Sequence, residues 1–120
     1  MRVTTRLFSV LLLLVVGCSQ PKAPATPSPA VLIQHGAPVV DVRTSREYQA
    51  SHVQGSTNVP LDELERRIVE VAPDKNAPVF VHCQSGGRSA AATQKLQSMG
   101  YKKVVDLGSL ANARKVVEEQ

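Results

Sequence analysis

Three short β-branched runs, Val39-Val40-Asp41-Val42, Val79-Phe80-Val81-His82 and Val104-Val105-Asp106-Leu107, are separated by stretches whose apolar residues recur at helical spacing. Leu61, Leu64, Ile68 and Val71 mark one such stretch, which Pro73 ends. Ala92, Leu96 and Met99 mark another, with Gly100 where a C-cap belongs. Strands that alternate with helices in this way specify a small α/β domain whose central sheet is mainly parallel and flanked by helices. Smaller signals complete the pattern. A helical turn is expected over 30–34, stopped by Gly36 and Pro38. Thr44-x-x-Glu47 matches a capping box that opens a short helix, Gly55 turns the chain, and 56–59 reads as extended. Ser109 caps a last helix that should bury Leu110, Ala113 and Val117.

The first thirty residues do not belong to this pattern. Arg2 and Arg6 precede an apolar run from Leu7 to Val16, and Val15-Val16-Gly17-Cys18 follows directly. A positive start, a short apolar stretch and small residues before a cleavage point describe a secretory signal. The run is shorter than the ~20 residues that span a bilayer. The tetrapeptide resembles the lipobox of bacterial lipoproteins, and that resemblance implies cleavage before Cys18 and lipidation of its thiol. Residues 1–17 are therefore expected to be the signal, and 18–30 a lipidated cysteine plus a proline-rich linker. Residues 31–120 should form the folded domain. The stretch Ser19 to Ala30 holds four of the eight prolines and no apolar periodicity, which biases it towards extended polyproline II geometry. The expected location is the bacterial cell envelope, lipid-anchored and facing the periplasm. Ser19 after the lipidated residue favours the outer membrane.

Charge excludes one broad class of function. The formal charge is +4, but without the signal 12 basic side chains face 10 acidic ones, a net +2. With no arginine-rich stripe and few aromatics, nucleic acid is not an expected partner.

Cys83 is the only other cysteine besides Cys18. If Cys18 is lipidated, Cys83 has no intramolecular disulfide partner in an oxidising compartment, so it is either buried and inert or kept for its reactivity. Its surroundings speak for reactivity. The order is strand, Cys83, a glycine-bearing turn, then a helix starting near Arg88. Ligands in open α/β sheets bind beyond the carboxyl ends of the strands. Gly86 and Gly87 allow the backbone to curl, and such a curl turns N–H groups inward as an anion-binding nest. The helix N-terminus adds partial positive charge, and Arg88 adds a fixed charge with a planar fork of donors. A thiolate in that cradle would have a pKa below the free value of ~8.5. Ser85 and Ser89 could bond the bound anion or cap the helix. Asp41 and Arg43, at another strand's carboxyl end, are read as a supporting charge pair. His82 lies on the strand with its ring turned away from the loop, and His52 is read as a packing and hydrogen-bonding residue.

Cys83-Gln84-Ser85-Gly86-Gly87-Arg88-Ser89, with Asp41-Val42-Arg43, Glu47-Tyr48 and His52 to Leu61 upstream in the same order, resembles the single-domain rhodaneses, the thiosulfate-type sulfurtransferases. The resemblance runs from about Asp41 to Leu110. It implies that Cys83 is the nucleophile and that Gln84, Ser85, Gly86, Gly87, Arg88 and Ser89 bind the substrate. It also implies a two-step reaction. Cys83 takes a sulfane sulfur from a small anionic donor such as thiosulfate, and the resulting persulfide passes that sulfur to a thiophilic acceptor, cyanide or a thiol. Neither a metal nor an organic cofactor is implied. Cysteine phosphatases place five residues between cysteine and arginine, whereas four stand here, Gln84 to Gly87. A small cysteine phosphatase, a thiol redox or sulfide-handling protein and a non-catalytic rhodanese-like binding module are the alternatives. Ser51, Ser56 and Leu107-Gly108-Ser109 depart from the common family residues, which affects local loop geometry.

Overall fold

A computed structural model describes residues 17–118 of the chain. The expected signal lies outside the described residues except for Gly17. Among those described, no helix is long and apolar enough to cross a membrane. Residues 17–28 are exposed and have no regular structure. Regular structure begins with helix α1 (Pro29–Gln34), which starts inside the segment expected to be linker. The local reason is clear: Ser28 Oγ accepts from the Val31 N–H, and Pro29 opens the helix where its missing N–H costs nothing.

The remaining elements follow in alternation. They are β1 (Val39–Asp41), α2 (Ser45–Ala50), β2 (Thr57–Asn58), a 3-10 turn (Leu61–Glu63), α3 (Leu64–Val71), β3 (Pro78–His82), α4 (Gly87–Ser98), β4 (Lys103–Gly108) and α5 (Leu110–Glu118). The sheet has the order β2-β1-β3-β4, and all of its strand pairs are parallel. The expected capping box on α2 is complete: the Thr44 hydroxyl accepts from the Glu47 N–H, and Glu47 accepts from the Thr44 N–H. Helix α4 ends in a Schellman motif. Gly100, at φ +95°, sends its N–H to the Gln97 carbonyl, and Tyr101 sends its own back to Leu96.

The two-residue period of the strands divides the core into two layers. Val40, Val79, Val81 and Val104 face α3 and α4, where Leu64, Ile68, Ala92 and Leu96 cover them. Val39, Phe80, Val105 and Leu107 face the opposite side, against α1 and α5 through Leu32, Leu110 and Ala113. Val117, expected to be buried, is half-buried. It lies one turn past Ala113, near the end of α5, and packs on the rim of this layer. Every strand ends at the same edge of the sheet, so residues 42–44, 59–61, 83–87 and 108–109 gather there.

Leu96 touches no solvent at the centre of the α3/α4 layer. Leu96→Ala is expected to lower stability by about 2–5 kcal/mol, read as a lower urea midpoint with an unchanged transition slope.

Candidate active site

Cys83 occupies the first position after β3, and its placement follows from strand parity. Val79, Val81 and Cys83 point to the α3/α4 side, while Phe80 and His82 point to the other. Sulfur and imidazole therefore lie on opposite faces although they are neighbours in sequence. The Cys83 N–H donates to the Gly108 carbonyl at 2.9 Å, which ties the start of the loop to the end of β4.

After Cys83 the chain curls back over the sulfur. The Gly86 N–H donates to Cys83 Sγ at 3.0 Å. Gly86 has φ +110°, a left-handed conformation that the turn into α4 requires and that favours glycine. Gly87 differs from the expectation. It is the first residue of α4, with ordinary φ and open space around its Cα, so only one of the two glycines makes the curl. Ser89 is fully buried behind the loop, and its hydroxyl donates to the Gly86 carbonyl at 3.0 Å. Burial opposes ionisation of the Cys83 thiol. The Ser89 N–H and hydroxyl, with the N–H groups of Gly86 and Ser85, outweigh it, and the pKa falls below the ordinary thiol value. Folding thus adds stability that is complete above the unfolded thiol's pKa and is lost as pH falls through the lower folded value.

Arg88 stands at the other end of the loop, but its fork is not empty. Nη1 and Nη2 donate to the two carboxylate oxygens of Glu47 at 2.7 and 2.9 Å. The sequence pattern places Glu47 in the α2 capping box, and the residue serves both purposes. The Arg88 hydrogen bonds, with those from Thr44, hold its carboxyl well below the usual carboxylate range. A residue shared between a local cap and a contact 41 positions away leaves no sequence signal for the second role.

Asp41 and Arg43 form a buried pair beside the loop. The Arg43 guanidinium donates to both Asp41 oxygens, the closest at 2.7 Å, and reaches the Ser51 carbonyl at 2.7 Å and Gln84 Oε1 at 3.2 Å. The Gln84 side chain is thereby engaged by Arg43, while its own carbonyl accepts from the Leu110 N–H. Asn58 Nδ2 bridges the carbonyls of Asp41 and Arg43. Ser85 is exposed and bridges to Ser109 across the loop mouth. His82 is buried on the far face, with Nδ1 on the Cys83 carbonyl at 3.1 Å and Nε2 3.8 Å from Asp41 Oδ2. Burial pushes its pKa down, and Nε2 has no hydrogen-bond partner among the described residues. His52 stacks on Tyr48 and bonds its carbonyl, remote from the sulfur in role. Cys18 is exposed among residues without regular structure.

A strand-end sulfur of lowered pKa, bonded by a loop amide and followed by a fixed guanidinium, has the chemistry to act as a nucleophile towards small anionic reactants. Known proteins resemble this chain in sequence and fold. The family model for the rhodanese-like domain covers residues 29–112. Thiosulfate sulfurtransferase PspE of Escherichia coli (strain K12) is 45% identical over 71 residues, 59% of this chain and 68% of that protein. The putative sulfur carrier protein YrkF of Bacillus subtilis (strain 168) is 35% identical over 69 residues, and the matched region is 58% of this chain but only 36% of that protein. Among solved structures, a rhodanese with anions from E. coli aligns at TM-score 0.61 and 42% identity, covering 63% of this chain and 89% of that one.

The lowered thiol pKa has a direct readout. The pH profile of alkylation by iodoacetamide should have its midpoint below the free-cysteine value of ~8.5. Ser89→Ala removes a hydroxyl that helps to lower the thiol pKa and should move that midpoint upward, while Ser85→Ala, whose exposed side chain leaves the backbone N–H in place, should not.

Proposed function

The chain belongs to the rhodanese-like family, and from that premise we propose that it acts as a rhodanese-type sulfurtransferase with Cys83 as the sulfur carrier. The observation that carries this reading is the Cys83 sulfur bonded by a loop amide and lowered in pKa, with four residues between it and Arg88. The thiolate attacks the outer sulfur of thiosulfate or a related donor. A Cys83 Sγ–S bond forms, the donor's S–S bond breaks, and sulfite leaves with the bonding electron pair. The persulfide anion then occupies the cradle, where the N–H groups of Ser85, Gly86 and Ser89 stabilise its charge. A thiophilic acceptor, cyanide or a thiol, attacks the outer sulfur and returns Cys83 as a thiolate. Arg88, oriented by Glu47, offsets the repulsion between two approaching anions at the loop mouth. Asp41 and Arg43 act as positioning residues through Gln84.

The phosphatase reading is disfavoured by the ring itself. Four intervening residues make a smaller cradle than a tetrahedral phosphoryl group requires, whereas one added sulfur fits the same set of donors. Incubation with thiosulfate should add one sulfur atom to the intact mass, and cyanide should remove it as thiocyanate. Cys83→Ser should abolish both steps, because an alkoxide is far less accessible than a thiolate at neutral pH. Release of phosphate from aryl phosphates without a sulfur adduct would reverse the assignment.

We also propose that Cys18 carries a lipid that anchors the domain in the bacterial envelope, with residues 19–28 as the tether. The apolar run ending in Gly17-Cys18 and the exposure of the Cys18 thiol support this. Cys18→Ser should lose the lipid mass and shift from the membrane fraction to the soluble one. Unchanged partitioning and mature mass would reject the anchor.

A further inference from the structure

Beside the Cys83 loop lies a cavity of ≈ 420 Å³ that the transfer of sulfur to cyanide does not need. One wall is apolar, made by Val42, Pro60 and Leu61. Two backbone bonds hold this wall against the carboxyl end of β1: Val59 N–H to the Asp41 carbonyl at 2.9 Å, and Leu61 N–H to the Val42 carbonyl at 3.1 Å. The cavity thus opens at the edge of the sheet where Cys83 sits. Arg88 belongs to both places, since it closes the sulfur loop and lines the cavity. Its guanidinium is fixed there by Glu47.

Two further charges line the same space. Lys95 is two helical turns beyond Arg88 on α4, so it projects from the same face. Its ammonium meets Glu65 at 3.2 Å, but both side chains are well exposed, and a pair of that kind exchanges readily for another carboxylate. Asp62, in the 3-10 turn opposite, is exposed and has no partner among the described residues. An apolar wall between a free acid and a weakly held base, with a guanidinium at the reactive end, specifies a shape and a charge pattern.

We infer that this cavity holds the organic body of the sulfur acceptor, a small zwitterionic thiol of amino-acid or short-peptide type. The inference rests on the sulfurtransferase reading given above. The carboxylate of the acceptor meets Lys95, its ammonium meets Asp62, and its methylenes lie on Val42, Pro60 and Leu61. Its sulfur is then directed to the Arg88 end. The acceptor thiolate attacks the outer sulfur of the Cys83 persulfide. One S–S bond forms in the acceptor as the S–S bond to Cys83 breaks, Cys83 leaves as a thiolate, and the acceptor departs as a persulfide. No external oxidant or reductant enters, because one sulfur–sulfur bond replaces another.

Three acceptors separate this inference from the reading beneath it: L-cysteine carries both charged groups, 2-mercaptoethanol carries neither, and cyanide is too small to use the cavity. With thiosulfate as donor, Lys95→Ala and Asp62→Asn should each raise the KM for L-cysteine by about threefold to fivefold, the value of one partly exposed charge contact. The KM for 2-mercaptoethanol, the KM for cyanide and the rate of sulfur-adduct formation should stay as in the wild type. An unchanged KM for L-cysteine in both variants, with normal adduct formation, overturns the acceptor site and leaves the sulfurtransferase standing. An equal rise for L-cysteine and 2-mercaptoethanol overturns it too, because the charges would then act on the fold or on Arg88. Absence of any sulfur adduct on the wild-type protein overturns the underlying reaction and this inference together.

Discussion

A buried charge pair, Asp41 with Arg43, is the contact on which the active edge of the sheet depends. Both side chains are nearly inaccessible, at 0% and 3% exposure. Removing two charges from water is costly, and a bare buried pair contributes little net stability. Here the cost is offset by coordination. Arg43 satisfies both oxygens of Asp41, the carbonyl at the end of α2 and the side chain of Gln84, while Asn58 bonds the backbone of both partners. One guanidinium therefore fixes the end of β1, the end of α2 and the first residue after Cys83, and Asn58 ties the end of β2 to the same backbone. Loss of either charge would leave the other buried and unpaired, and the loop would lose its lateral support.

The chemistry at Cys83 follows from a balance of opposing terms. Burial alone would keep the thiol protonated. Backbone N–H groups and the Ser89 hydroxyl reverse that, and they can do so only because Gly86 adopts a left-handed conformation that aims its N–H at the sulfur. The cationic end of the site is also balanced. Glu47 neutralises much of the charge of Arg88 and gives its plane one fixed orientation. The cradle is thus a set of fixed dipoles with one restrained cation. That suits the persulfide proposed above, a monoanion held and then released.

Much of the fold was legible from local patterning. The β-branched runs, the helical spacing of Leu64, Ile68, Ala92 and Leu96, the Thr44 capping box and the Gly100 cap each act over a few residues, so sequence carries them directly. The Cys83 loop was legible for the same reason, since all of its anion-binding amides lie within seven consecutive positions. The separate roles of Gly86 and Gly87 were not, because both residues permit the curl and only the path of the chain decides which one makes it. The half-exposure of Val117 also depended on what neighbouring elements left uncovered.

The sequence by itself determined the cysteine, its glycine turn, the four-residue interval to Arg88 and the α/β alternation that puts them at a strand end. Each of these is a matter of residue type and short-range spacing. Only the tertiary structure decided which partners hold those groups: Glu47 on Arg88, Arg43 on Gln84, and the Leu61 wall that shares Arg88 with the sulfur loop. The first two contacts each join residues 41 positions apart, and the shared cavity brings together residues 27 positions apart. They come into being when parallel strands bring their carboxyl ends to one edge, a geometric consequence of packing that no local pattern of side chains records.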